Sequence, residues 1–545
     1  MSRNPINIRQ FEGSRGITTQ SMCNCHVRCG VRLSRLASLL AACTLAACTS
    51  GPPLPTGYIA VGLEAAPLTL DPRFATDATS AQIDDLVFEG LTRWDDQSRR
   101  VPQLATEWRA TDAQTYVFHL HEGLRFANGA PLTAADVKAT YDSVLDPRTQ
   151  SAKQLALQAI EGVDALDPLT VRFRLRQPFA PFLESTGLGI LPATEVARAP
   201  TRPLAQPTGA GPFRVRALVP DERVVLSRNR AYPFAAPKLE GIVFKVVPDA
   251  VTRLLELKRG TLDLVQNGID PDSLDWLRAQ PTIEVMTRPG TTIQYLGMNL
   301  RDPKLADVRV RRAIAYAIDR NAIIHTVLKD LATPATGLLG PTHWAFALDA
   351  PTYAYNPKRA KELLDAAGYT EADGTGSQPR FRLSYKTTFV ELRRRIAEVV
   401  QAQLAEVGVV LDIQSYEWGT LYNDIKRGNF QLYSLAWVGI EDPDIYYLTC
   451  HSSQTPPQGS NRGSFHDETV DRLTEAARRT LDMEERRRLY AEVQRRAAQM
   501  LPIIPLWWTT NVAAVNRRLQ GFELQPNASY VSLKDAWIEE EPHSG

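Results

Sequence analysis

Cysteine is scarce in this chain, and basic charge is not in excess. Six cysteines occur in 545 residues, and four of them precede Cys48. Only Cys450 follows it, so a chain that begins at a modified Cys48 has no pair of thiols for an internal disulfide. Lys and Arg number 62 against 61 Asp and Glu. This balance lacks the basic footprint of a nucleic-acid-binding protein.

Motifs of common catalytic and metal sites are also absent. We find no P-loop, no H-E-x-x-H, no G-x-S-x-G and no EF-hand loop. His119 and His121 alternate on a predicted strand, but two imidazoles alone make a weak metal site, whereas structural zinc needs four ligands. Cys450 and His451 are neighbours in sequence, which does not make them a nucleophile pair. These absences favour a binding protein without catalytic residues, metal or cofactor.

The start of the chain resembles the export signal of a bacterial lipoprotein. Three arginines precede an uncharged run over residues 36–47, and Leu45-Ala46-Ala47-Cys48 resembles a lipobox. The run is shorter than the roughly 18 apolar residues that span a bilayer. We expect residues 1–47 to be removed as an N-terminal extension and signal peptide, and Cys48 to be acylated. An ordinary signal peptide with an incidental cysteine is the alternative.

The remaining chain of about 500 residues is too long for one hydrophobic core and predicts two or three domains. Alternating apolar residues predict strands over 115–120 and 170–175. Helix-capping residues predict helices that begin at Asp307, Asn356 and Asp482. Helices interleaved with strands favour an α/β fold.

Several segments, in order, resemble the large solute-binding proteins of peptide- and nickel-type ABC importers, the dipeptide- and oligopeptide-binding family. They are FEGLTRWD at 88–95, 102–108, 118–126, 128–137, TGAGPF at 208–213, VRRAIAYAIDR at 310–320, 355–369 and WVGIEDPD at 437–444. Each motif is weak alone, but the ordered series is specific and covers nearly all of the chain after Cys48.

The resemblance implies an α/β, two-lobed clamshell like that of periplasmic binding proteins, with an extra subdomain inserted in the first lobe. Lobe I is expected to comprise residues 48–83, 208–292 and 509–545. The inserted subdomain is expected over 84–207, and lobe II over 293–508. A hinge of chain crossings would let ligand binding favour a closed state.

The implied function is that of a lipid-anchored, extracytoplasmic binding protein. It would capture peptide-like solutes as a monomer and deliver them to an ABC permease, whose partner subunits use ATP. A second interpretation keeps the fold but gives it a metal chelate, haem or an amino-acid derivative as ligand. An exported hydrolase with scattered catalytic residues is the interpretation from another class.

The resemblance places the ligand site at Trp437, Val438, Gly439, Ile440, Glu441 and Asp442. Trp437 is expected to form an aromatic wall of the cleft. In peptide-binding relatives an aspartate three residues after this tryptophan pairs with the ligand's amino terminus, but here that position is Ile440. Either Glu441 or Asp442 takes the role, or the ligand lacks a free ammonium there, which the aliphatic Ile440 favours. Asp442 before Pro443 is also typical of a simple turn.

Overall fold

The computed structural model describes residues 54–95, 99–370 and 378–539. Cys48 and the predicted signal peptide lie outside these ranges. No helix within them is long and apolar enough to cross a membrane.

The described part of the chain mixes strands with helices, as the sequence predicts. The strands are β1 Tyr58–Leu63, β2 Thr92–Trp94, β3 Arg100–Pro102, β4 Ala105–Ala110, β5 Thr115–Leu120, β6 Ile160–Asp167, β7 Thr170–Leu175, β8 Phe213–Val219, β9 Arg223–Arg228, β10 Gly241–Val246, β11 Leu264–Gln266, β12 Ile283–Met298, β13 Ala332–Pro334, β14 Phe381–Thr388, β15 Val409–Tyr416, β16 Leu432–Trp437, β17 Ile503–Asn516, β18 Leu519–Gln520 and β19 Trp537–Ile538.

The α-helices are α1 Ala78–Val87, α2 Ala134–Leu145, α3 Gln154–Leu157, α4 Ala193–Arg198, α5 Ala250–Lys258, α6 Leu274–Arg278, α7 Pro303–Ala306, α8 Val308–Ala317, α9 Arg320–Thr326, α10 Pro357–Ala366, α11 Glu391–Ala405, α12 Trp418–Arg427, α13 Ile445–Cys450, α14 Glu468–Arg479 and α15 Met483–Met500. Short 3₁₀ helices cover Pro147–Thr149, Ala180–Gly187, Pro271–Ser273, Ser452–Gln454 and Val531–Lys534.

One large mixed sheet runs through the molecule in the order β15-β14-β16-β12-β17-β11-β1-β10-β9-β8. Strand β14 pairs in parallel with β15 and β16, and β1 pairs in parallel with β10 and β11. The two long strands β12 and β17 pair antiparallel along most of their length. Each long strand therefore passes from the β8–β11 side of the sheet to the β14–β16 side.

A separate four-stranded sheet, in the order β4-β5-β7-β6, is entirely antiparallel. It lies in sequence between α1 and β8 and has its own core. Phe118, Tyr141, Phe173 and Phe182 are fully buried there, and the Phe118 and Phe173 ring centroids are 5.5 Å apart in an edge-to-face contact. The strands predicted over 115–120 and 170–175 are confirmed as β5 and β7.

The predicted helix starts are also confirmed. Capping involves residues only a few positions apart, so a short sequence pattern is enough to predict it. The side chain of Asn356 accepts a hydrogen bond from the Arg359 backbone N–H, and Asp482 accepts one from Glu485 at 2.8 Å. Such side chains satisfy backbone donors that have no partner within the first helical turn. Asp307 likewise caps α8 through the Arg309 N–H.

The crossing strands show a register shift between Pro289 and Ile293. At Gly290 an added Cβ would lie 2.7 Å from the Thr509 carbonyl oxygen, so only glycine allows the two backbones to approach this closely. This crossing adjoins the predicted lobe boundaries at residues 292 and 508, which stay predictions. Beside it, β16 lies next to β12 and leads to Trp437.

Candidate functional site

Trp437 ends β16, at the edge where the parallel strands β14 and β15 also end. Ligands of open α/β sheets bind outside the carboxyl ends of such strands. The Trp437 ring stacks on Tyr295, with centroids 6.5 Å apart and planes 12° apart. The Arg462 guanidinium lies 4.8 Å from the Trp437 ring centroid and donates to the Tyr295 hydroxyl at 2.7 Å. Neighbouring side chains therefore hold the indole in a fixed orientation.

The next three residues turn the chain away from the sheet. Val438 is 61% exposed, and Gly439 adopts a left-handed backbone with φ of 65°. Ile440 is only 8% exposed and packs in a hydrophobic cluster with Ile293 and Trp508. The aliphatic side chain of Ile440 thus belongs to the protein interior, and the charged candidates that remain in this segment are Glu441 and Asp442.

Asp442 is already engaged by the protein. Its carboxylate accepts two hydrogen bonds from the Arg486 guanidinium, at 2.8 and 3.0 Å. The same carboxylate accepts from the Asp444 backbone N–H at 2.7 Å, so the predicted turn is confirmed. Asp442 therefore holds the start of α13 against Arg486.

Glu441 has a neutral hydrogen-bond donor as its partner. The Asn527 side-chain amide donates to Oε1 at 3.1 Å, and His343 Nε2 donates to the Glu441 carbonyl at 2.9 Å. Burial raises the pKa of this carboxyl to about 7, against the opposing effect of Arg100. In the described ranges no Lys or Arg nitrogen lies within 4 Å of this carboxylate. Glu441 is thus the carboxylate of this segment that is available to a ligand.

The partner of Glu441 belongs to a short loop that sequence reasoning missed. Ser529, two residues after Asn527, donates to Asp85 at 2.6 Å. Between them Ala528 has a left-handed backbone, with φ of 61°, which is uncommon for a residue with a Cβ. Strained positions of this kind concentrate at functional sites. Nothing in the sequence marks Asp85, a polar residue within α1, as a partner of this loop.

The inserted sheet region also faces this segment. Arg100 donates to the Glu184 carbonyl at 2.7 Å, and its guanidinium lies 3.9 Å from the Trp94 ring centroid. Burial, followed by the negative charge of Asp442, raises the pKa of the Glu184 carboxyl well above its usual value. The charges of Arg100, Glu184 and Asp442 therefore act on one another across the cleft.

A further contact closes the side of the cleft near α14. The Arg478 guanidinium lies 3.6 Å from the Tyr447 ring centroid and 4.8 Å from that of Phe179. Its Nε also lies 3.1 Å from an Asp444 carboxylate oxygen. Arg478 thus links the region after β16 to Phe179, which precedes the 3₁₀ helix Ala180–Gly187.

Other candidate chemistry is not assembled. The described residues contain no group of three or more His, Cys, Asp or Glu side chains arranged for a metal ion. Cys450 is buried, and burial raises the pKa of its thiol to about 12. A protonated, buried thiol is a poor nucleophile.

A family model described as bacterial extracellular solute-binding proteins, family 5 Middle, matches residues 99–458. The dipeptide-binding protein of Escherichia coli is 28% identical over 453 residues, which are 78% of this chain and 84% of that protein. Heme-binding protein A of Haemophilus influenzae is 28% identical over 495 residues, which are 85% and 89%.

Among solved structures, the ABC transporter-associated periplasmic binding protein DppA of Helicobacter pylori, in complex with the peptide STSA, is similar with a TM-score of 0.76. It is 26% identical, and the match covers 89% of this chain and 98% of that protein. The likeness confirms the predicted two-lobed α/β architecture.

Proposed function

The chain belongs to the bacterial extracellular solute-binding proteins of family 5, and from this premise we propose that it captures a peptide-like solute. It is the substrate-binding component of an ABC importer. The dipeptide-binding relative and the peptide complex of a similar structure support a peptide ligand. Peptides are recognised largely through backbone hydrogen bonds, which tolerate varied side chains.

The observation that carries the peptide proposal is the neutral pairing of Glu441 beside an oriented Trp437. Asn527 is a neutral partner, and the charge of Arg100 acts on Glu441 only from beyond 4 Å, whereas Asp442 forms a direct ion pair with Arg486. A free peptide amino terminus supplies the missing positive charge. Glu441 therefore takes the role of amine anchor, with Trp437 and Val438 as the apolar wall and Gly439 allowing the turn.

The two remaining members of the predicted site support that wall from behind. Ile440 packs into the core, and Asp442 ties the segment to α15 through Arg486. In the clamshell interpretation, residues 48–83, 208–292 and 509–545 form lobe I, 84–207 its inserted subdomain, and 293–508 lobe II. The ligand would bind in the cleft beside the contact between Glu441 of lobe II and Asn527 of lobe I.

The finer features of the protein belong to the same proposal. It performs no catalysis, acts as a monomer and is anchored to the membrane through acyl chains on Cys48. Pro52, Pro53 and Pro55 lie in sequence between Cys48 and β1, and proline-rich segments are typical of stiff spacers. Delivery of the solute requires the ABC permease, which binds the loaded protein.

Calorimetry on the purified protein tests the proposal with a free tripeptide and its N-acetylated form. A hydrogen-bonded charge pair contributes about 1.5–3 kcal/mol, so we expect the free amine to bind at least tenfold more tightly. Glu441→Gln should remove this preference, and the control Glu398→Gln on the outer face of α11 should keep it.

Equal binding of both peptides would overturn the role of Glu441. Absence of binding by any peptide of two to five residues would overturn the peptide ligand. In that case haem is the next probe, because one relative is named a heme-binding protein.

A further inference from the structure

Three neighbouring strand ends carry exposed apolar side chains. Phe389 and Val390, which directly follow β14, are 70% and 52% exposed, and Trp418, two residues after β15, is 50% exposed. Val438, the residue after β16, is 61% exposed. We call these four residues the strand-end patch. Large apolar side chains that are exposed together mark a binding surface, whereas single ones are common on any protein.

Strand pairing brings the members of the patch together. Strands β15, β14 and β16 are consecutive in the sheet and run parallel, and Thr388 at the end of β14 lies opposite Tyr416 at the end of β15. Because Lys386 lies opposite Tyr433, the same register places the residues after β14 alongside Trp437. Neighbouring strands are about 4.8 Å apart, so the patch is roughly 10 Å wide.

A row of stacked groups joins the patch to the wall of the candidate site. Trp418 stacks on Tyr422, with ring centroids 5.5 Å apart and planes 13° apart. The Arg462 guanidinium lies 5.5 Å from the Tyr422 ring centroid and 4.8 Å from that of Trp437. The strand-end patch is therefore continuous with the wall formed by Trp437 and Val438.

The patch lines the cleft, because α11, which directly follows its β14 residues, meets the other side of the sheet. Arg395 on α11 pairs at 2.9 Å with Asp272, which lies in the 3₁₀ helix after β11. Burial lowers the pKa of Arg393, and the negative charge of Glu64, the residue after β1, opposes this shift. Strands β1 and β11 belong to the β8–β11 side of the sheet. The start of α11 and the patch beside it therefore lie where the two sides face each other.

The charged side chains beside the patch have partners within the protein. These pairs are Lys386 with Asp424, Glu391 with Arg394, Arg393 with the Thr388 hydroxyl, and Arg462 with the Tyr295 hydroxyl. The four patch side chains offer apolar surface and, apart from the Trp418 indole N–H, no hydrogen-bonding group. A polar side chain placed on this surface would lose its hydration without gaining a partner.

The occupant that fits this surface is a side chain of the solute. The patch lies in the cleft and adjoins Trp437, and its width of roughly 10 Å matches one or two side chains rather than a folded partner protein. An apolar side chain that binds there removes apolar surface of both molecules from water, which is favourable.

We infer that the strand-end patch is a subsite for an apolar side chain of the solute, and that the protein prefers peptides with aromatic or branched aliphatic residues. This inference rests on the proposed function and specifies its substrate class. Phe389 and Trp418 determine the preference, whereas Glu441 binds the amino terminus. The side chain that reaches the patch belongs to a residue after the first, because the first is held at Glu441.

Calorimetry on the purified protein tests the inference with Ala-Phe-Phe, Ala-Leu-Leu and Ala-Ser-Ser. The three peptides have equal length, termini and net charge, so Arg393 and Arg462 act equally on all of them. We expect the phenylalanine and leucine peptides to bind at least tenfold more tightly than the serine peptide. Burial of one large apolar side chain corresponds to roughly ten- to hundredfold in Kd. The two apolar peptides should also bind with the more negative heat-capacity change.

The double variant Phe389→Ser/Trp418→Ser should reduce the preference to threefold or less. Phe389→Ser alone, which removes the most exposed member of the patch, should lower it at least threefold. The matched control is Leu348→Ser/Trp276→Ser, because these side chains are also exposed and lie outside the patch. The control should keep the full preference, and melting temperatures show whether each variant is folded.

The outcomes distinguish the two proposals. Equal affinity for the phenylalanine and serine peptides overturns the apolar subsite and leaves the peptide function standing. A preference that survives in the double variant overturns the placement at Phe389 and Trp418. If no peptide binds, the peptide function fails, and the dye anilinonaphthalene sulfonate, which binds exposed hydrophobic surface, then decides the subsite. Equal dye fluorescence with the wild-type protein and the double variant overturns it as well.

Discussion

At the scale of single residues, the buried pair of Asp442 and Arg486 predicts a measurable effect on stability. Removing one member of a buried ion pair leaves the other charge uncompensated, which costs about 3–5 kcal/mol. We expect Asp442→Asn to lower the free energy of unfolding by about 3 kcal/mol. Urea denaturation followed by fluorescence measures the change.

The matched control for this variant is Asp349→Asn. Asp349 pairs with Arg495 at 2.9 Å, but both side chains are substantially exposed. Exposed pairs contribute about 0–1 kcal/mol. A loss for Asp442→Asn that is no larger than that of Asp349→Asn would contradict the structural role of the Asp442 pair.

The raised pKa of Glu89 predicts that the stability of the protein decreases as the pH rises. Burial raises the pKa of this carboxyl from 4.5 to about 7, while hydrogen bonds from Tyr232 and Gln103 and the charge of Arg93 oppose the shift and Asp85 adds to it. The folded protein therefore binds the proton more tightly than the unfolded chain. The stability contributed by protonation is present below about pH 4.5 and is lost as pH rises toward 7.

Glu89→Gln should remove this dependence, because the amide oxygen still accepts from Tyr232 but carries no charge. We expect the variant to be more stable than the wild type by about 1–3 kcal/mol at pH 8, and equal to it near pH 4. Thermal melts at the two pH values measure the difference. A variant that is less stable at pH 8 would show that the charge of Glu89 is compensated in the folded protein.

Residues of the site differ in how well the sequence predicts them. The segment at 437–444 was predicted from a family motif, and its turn was predicted from Asp442 before Pro443. Asp85 and Ser529 are 444 positions apart, and only the folded sheet brings them together. Neither residue lies in a recognisable sequence motif, so the sequence alone does not identify them as residues of the site.

At the scale of elements, Gly209 explains why the TGAGPF motif at 208–213 needs a glycine next to α1. A Cβ at this position would collide with the carbonyl oxygen of Val87, the last residue of α1. Gly211, in the same motif, donates its backbone N–H to that oxygen at 2.9 Å. The two glycines of this motif therefore allow the chain before β8 to pack closely against the end of α1.

We expect Gly209→Ala to destabilise the protein by about 3 kcal/mol, because the backbone of α1 or of the motif must shift. Gly340→Ala is the control, since nothing lies within 4 Å of a Cβ at Gly340. Differential scanning calorimetry compares the melting temperatures. Similar melting temperatures for the two variants would mean that the α1 contact is adaptable.

Helices and strands were predictable where their signals are local. Asn356 and Asp482 cap their helices as predicted, and Gly368 and Gly408 follow α10 and α11 with a left-handed backbone. The long pairing of β12 with β17 was not predictable in this way. The pairing of these two strands is set by the packing of distant cores on both sides of the sheet. Such packing leaves no short-range pattern in the sequence.

At the scale of the whole molecule, one continuous sheet connects the two sides of the cleft. Strands β12 and β17 pass between them, and Glu441 and Asn527 meet beside that crossing, where the Ile440 N–H lies 3.4 Å from the Thr291 carbonyl oxygen. A change in the angle between the sides would alter the distance between Glu441 and Asp85. Binding of a solute that contacts both sides and closure of the cleft would therefore be energetically coupled.

The proposed acylation of Cys48 leads to a prediction about where the protein fractionates. Cys48 lies outside the described residues, and the first strand, β1, begins at Tyr58. Acyl chains stabilise membrane association by about 0.8 kcal/mol per buried methylene, so their loss should abolish anchoring while solute binding is kept. We expect Cys48→Ser to move the protein from the membrane pellet to the soluble fraction. Cys450→Ser, the control, should stay in the pellet, and a Cys48→Ser variant that also stays there would overturn the lipobox interpretation.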